Sequence, residues 1–134
     1  MDIEKAIAEL RSRNEPVPEP IRLPTEEELE VAQEQLGIPF PADYRRFQLE
    51  AGDVTFSTLE PFVVVPTMPY LDLIRAARKA WEIGVPRAWL PFCENNGDYY
   101  CLDGTAVRYW ANGPTDETWS DLATWITQVW IGGS

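Results

Sequence analysis

The sequence contains no histidine and only two cysteines, Cys93 and Cys101, in 134 residues. Without histidine, the chain lacks the side chain most often used as a general base near neutral pH and the commonest transition-metal ligand. Ser/His/Asp and Cys/His triads are excluded. Two cysteines alone leave a tetrahedral zinc site half empty. No stretch approaches the roughly 20 apolar residues that span a bilayer. The N-terminal residues alternate charge with apolar side chains, unlike the uncharged core of a secretory signal. A reducing cytoplasm is the expected compartment, with no membrane association.

Basic residues are also scarce: 11 Lys and Arg stand against 22 Asp and Glu, for a net charge of −11. Such a field repels phosphate backbones and anionic lipid, which argues against direct nucleic-acid binding, and it attracts basic proteins. The charge is uneven. Residues 1–66 carry 14 acidic and 6 basic side chains, net −8, against 8 and 5, net −3, in the remainder.

Composition is otherwise that of a globular protein, 45% hydrophobic and 25% charged, and the length suits one domain over residues 1–134. Residues 2–12 read as an amphipathic helix with Ile3, Ala6, Ile7 and Leu10 on one face. Pro16, Pro18, Pro20 and Pro24 then mark an extended connector. Thr25 and Glu28 have capping-box spacing, so a second helix runs from Thr25 to Gly37. Its inner stripe is Leu29, Ala32 and Leu36, which leaves Glu27, Glu30 and Glu34 outside. A third helix is expected with Pro41 in its first turn, ending near Gly52, and with Tyr44, Phe47 and Ala51 inward. Short strands are expected at Val54–Phe56 and Phe62–Val65, then a helix from Tyr70 to Ile83.

The last third reads as an antiparallel meander of strands at Ala88–Cys93, Tyr99–Leu102 and Ala106–Trp110. Asn96-Gly97 and Asp103-Gly104 supply the positive φ that tight turns require. If Asn96-Gly97 is a two-residue turn, Asn95 pairs with Asp98 and Cys93 with Tyr100, which puts Cys93 and Cys101 on opposite faces. A closing helix over Trp119–Trp130 covers the sheet with Leu122, Trp125, Ile126 and Val129. The fold class is α+β: an antiparallel sheet packed against N-terminal and C-terminal helices.

The blocks LPTEEELEVAQEQLGIPFPADYRRFQLEAG at residues 23–52 and WLPFCENNGDYYCLDGTAVRYW followed by WSDLATWI stand out. Both resemble the SUKH superfamily, the Smi/Knr family of bacterial immunity proteins and fungal cell-wall regulators. The chain departs from the family pattern after Trp110, where Ala111-Asn112-Gly113 replaces a common histidine. The resemblance implies an α+β fold and no enzyme. It also implies a protein partner: for bacterial members commonly a toxin neutralised by tight binding, for fungal members endogenous signalling or cell-envelope proteins.

The candidate partner-binding residues are Glu27, Glu30 and Glu34 on the second helix, Glu94, Asn95, Asp98 and Asp103 at the hairpin turns, and Trp110. The acidic field points to a basic toxin domain as partner. Asn95 and Asp98 also suit a purely local role, hydrogen-bonding turn amides. Among the six tryptophans, Trp81, Trp89 and Trp125 have core spacing, whereas Trp110, Trp119 and Trp130 lie at element ends, where one exposed ring would anchor an interface. Neither a cofactor nor a metal is expected, since the spacing of Glu94, Asp98 and Asp103 matches no calcium loop. The expected assembly is a monomer or small homo-oligomer.

Overall fold

The computed structural model describes residues 2–133. Helix α1, Ile3–Ser12, starts where the Asp2 carboxylate accepts from the Glu4 N–H at 2.8 Å, and it buries Ile3, Ala6, Ile7 and Leu10. Helix α2, Glu26–Leu36, opens on the expected capping box. Thr25 Oγ1 accepts from the Glu28 N–H at 3.2 Å, and the Glu28 carboxylate accepts from the Thr25 N–H at 2.9 Å. Gly37 ends the helix at φ 66°, a left-handed conformation that favours glycine. Helix α3, Ala42–Ala51, begins one residue later than expected. Pro41 is its N-cap, with extended ψ of 152°, and not its first helical residue.

The two short strands expected at Val54–Phe56 and Phe62–Val65 do not form. Only isolated pairings occur, Pro61 with Cys93 and Val63 with Asp72. Pro61 and Pro66 leave no N–H for a continuous ladder, so this segment instead covers one point of a sheet edge. There the Phe62 N–H donates to the Phe92 carbonyl at 2.8 Å. The expected helix at Tyr70–Ile83 is split. A 3-10 turn at Pro69–Leu71 precedes Asp72, whose side chain caps α4, Leu73–Glu82.

Four strands form one antiparallel sheet in the order β1 (Leu90–Asn95), β2 (Asp98–Asp103), β3 (Ala106–Trp110) and β4 (Pro114–Trp119). The fourth was not expected. Its sequence, PTDETW, lacks alternating apolar residues because an edge strand with an exposed face does not need them. Trp119 consequently ends β4. The closing helix starts after Asp121, which accepts from the Thr124 N–H at 2.7 Å.

That closing element is α5, Leu122–Trp125, continuing as a π-helical segment, Ile126–Ile131. The wider turn shifts the inward phase by one residue, since π-helices bond i to i+5. Trp130 is therefore buried where Val129 was expected, and it donates from Nε1 to the Phe56 carbonyl at 2.9 Å. Trp125 is the centre of an aromatic cluster, its ring 4.8 Å from Phe92, 5.2 Å from Tyr100 and 6.2 Å from Trp130.

Both faces of the sheet are partly covered. Tyr100 lies on the face packed by α5, whereas Tyr99 and Trp110, paired across β2 and β3, lie on the other. This follows from the tight turn. Asn95 pairs with Asp98 and Cys93 with Tyr100, and Asn96 and Gly97 take φ of 52° and 92°. Cys101 pairs with Arg108, so the two thiols sit on opposite faces, as the turn chemistry predicts.

Candidate partner-binding surfaces

Helix α2 presents its carboxylates in two directions. Glu30 is ion-paired with Arg45 of α3 at 2.8 Å, which neutralises much of its field. Glu28 is held by Arg22 at 2.6 Å and by the cap. Hydrogen bonds from Arg22 and the Thr25 amide lower its pKa to about 2. Glu27 and Glu34 are exposed and make no ion pair among the described residues. Between them, at i, i+4 and i+7, stands Val31, an apolar side chain 46% exposed.

Val31 borders a groove of about 340 Å³ between α2 and α4, with Ala32, Val64, Val65 and Ile74 as apolar walls and Glu27 on its rim. Sequence patterning did not find this groove, because Val64 and Val65 lie in a segment read as strand. The one available signal was Val31, which falls outside the buried stripe of α2.

The hairpin residues do not form one cluster. Glu94, Asn95 and Asp98 lie at the β1–β2 turn, whereas Asp103 is at the far end of β2, roughly 17 Å away for a strand of this length. Asp103 is ion-paired with Arg108 at 3.3 Å. Asn95 and Asp98 do not bond turn amides. The Tyr109 hydroxyl donates to Asp98 Oδ2 at 2.5 Å, and Asn95 Nδ2 donates to the same hydroxyl at 3.4 Å. Partial burial and the bond to Asp98 push the Tyr109 phenol up to about 12. Glu94, on the opposite face, is exposed and borders a cleft of about 350 Å³ with Tyr70, Arg75, Lys79 and Tyr99.

Trp110 is not available to a partner. It is 5% exposed, its ring tilted at 53° to that of Tyr99 with centroids 6.1 Å apart, and Gly84 lies beside the ring, where an added Cβ would stand 3.6 Å from it. Trp130 is buried too, and Trp119 is the half-buried ring of the three end positions. Of the expected core rings, Trp125 is fully buried, whereas Trp81 and Trp89 are half-buried, with the Trp81 Nε1 donating to the Trp89 carbonyl at 2.8 Å.

A groove of about 840 Å³ runs past Pro39, Phe40, Leu90, Leu102 and Thr105. Its cation, Arg87, is already committed: it donates to the Leu36 carbonyl at the end of α2 and lies 3.9 Å over the Trp81 ring. No group of three or more Cys, Asp and Glu residues is placed to hold a metal ion among the described residues. Burial raises the pKa of both thiols, that of Cys101 to about 12, so neither is a thiolate near neutral pH. No helix of the described residues is long and apolar enough to cross a membrane.

The architecture is an α+β domain with a four-stranded antiparallel meander, an acidic helix and open surface grooves. The profile of the SMI1-KNR4 cell-wall family, within the SUKH superfamily, matches residues 3–131, and the chain belongs to that family. A crystal structure of a protein from Pseudomonas syringae pv. tomato is similar over 96% of this chain and 98% of that one, with 37% identity and a TM-score of 0.91. No curated protein matches the chain.

Proposed function

We propose that the chain is a non-catalytic, cytoplasmic immunity protein that neutralises a cognate toxin by binding it, and that the toxin presents a basic surface. Family membership supports the protein-binding class. The observation that carries the choice of a basic partner is the acidic face of α2, where Glu27 and Glu34 remain unneutralised beside an exposed apolar residue. Those carboxylates add to a net charge of −11, and such a field speeds encounter with a cation-rich surface. Glu94 at the β1–β2 turn extends the acidic surface to a second region on a rigid hairpin. Specificity would lie in these surface side chains, since the fold alone does not select a partner.

The test is to look for a secreted toxin encoded beside this gene and to co-express it with this chain. Cells making the toxin should survive only when this chain is present, and the two proteins should co-purify in equal amounts. Death of the cells despite abundant soluble protein would contradict the proposal. A second reading, a regulatory adaptor for cell-envelope proteins, is favoured by the cell-wall description of the family. In that case deletion alters envelope integrity in cells that contain no toxin.

A further inference from the structure

Three surface cavities compete as the contact point for a protein partner, and charge separates them. In the cleft beside Tyr70, the cations Arg75 and Lys79 share the walls with the carboxylate of Glu94, so its charge selects neither an acidic nor a basic occupant. In the groove past Phe40, the only charged wall residue is Arg87, already bonded to the Leu36 carbonyl. The α2–α4 groove differs from both. Its walls are mainly aliphatic, with Gln35 as the polar neutral member; of its two rim carboxylates Glu28 is paired with Arg22 whereas Glu27 is in no ion pair among the described residues, and Glu34 lies two turns beyond Glu27 along the same helix face.

We infer that the α2–α4 groove is the docking slot for a basic segment of the partner, which seats one aliphatic or aromatic side chain against Val31, Val64 and Ile74 and places Lys or Arg beside Glu27 and Glu34. The identity of that partner rests on the function proposed above; the chemistry of the segment rests on the groove itself. A volume of about 340 Å³ is at the small end of ligand cavities, suited to an anchoring side chain and not to a whole cofactor. Val31 is half-exposed in the free chain, so covering it contributes apolar burial at the centre of a polar rim, the arrangement of an interface hot spot.

The probe is a set of short synthetic peptides added to the full-length chain and followed by NMR: one of alternating Arg and Leu, one with Ala for each Leu, one with Glu for each Arg. The Arg-Leu peptide should shift the resonances of Val31, Val64, Val65 and Ile74, and the other two should bind at least about tenfold more weakly. Val31→Asp and the pair Glu27→Lys with Glu34→Lys alter exposed positions. Each should weaken the Arg-Leu peptide about tenfold and reduce protection in the co-expression assay, with an unchanged far-ultraviolet spectrum reporting the intact fold. Shifts centred elsewhere, no shifts at all, or full protection by Val31→Asp would overturn the groove assignment. Failure of the proposed function reads differently: the wild-type chain then gives no protection, while the Arg-Leu peptide still shifts the groove.

Discussion

Gln48 is the polar side chain buried within the core of the described residues. Its Nε2 donates to the Tyr44 hydroxyl and to the Phe62 carbonyl, both at 3.0 Å. It fastens α3 to the segment after it, which has almost no ladder bonds of its own. Gln48→Leu keeps the volume but strips the Phe62 carbonyl of its donor, so we expect a loss of roughly 1–3 kcal/mol, read as a lower urea midpoint. An unchanged midpoint would show that this bond does not hold the segment. Nothing in the sequence marks Gln48, because one buried amide interrupts no pattern. Trp110 misleads for the opposite reason. Its place at the end of a strand suggests exposure, but α4 and Gly84 close over the second face of the sheet.

At the scale of elements, the legible parts are those with local chemical cause. Thr25 and Glu28 define the start of α2, and Asn96-Gly97 fixes the β1–β2 register down to the separation of Cys93 from Cys101. What stayed hidden depends on neighbours: β4 exists because β3 offers it an edge, and the π-helical turn places Trp130 where only the filled aromatic cluster favours it. The α2 cap also gives a pH prediction. The carboxylate of Glu28 is held at about 2 against an ordinary value of 4.5. A lowered carboxylate pKa contributes stability above the unfolded value and loses it as pH falls toward 2. Arg22→Ala should therefore raise the Glu28 midpoint in a carbon-detected NMR titration, because it removes the guanidinium and leaves the Thr25 amide in place. A midpoint that stays near 2 would assign the shift wholly to the Thr25 cap.

On the scale of the whole molecule, charge is the property that connects sequence to function. The acidic excess was plain from composition, yet its useful distribution was not, since ion pairs with Arg45, Arg22 and Arg108 absorb Glu30, Glu28 and Asp103 and leave Glu27, Glu34 and Glu94 outside any pair. The grooves depend on how α2 and α4 meet, which no local pattern encodes. Stopped-flow association of the purified chain with the toxin domain against which it protects in co-expression, measured across a salt series, tests the central claim most directly. Charges more than about 8 Å apart are screened at physiological ionic strength, so the association rate should fall at least about tenfold from low to high salt. Glu27→Lys with Glu34→Lys should slow association more than it speeds dissociation. Tight, salt-dependent binding is the predicted result; no binding, or an association rate indifferent to salt, would contradict the account of an acidic immunity protein steered onto a basic toxin.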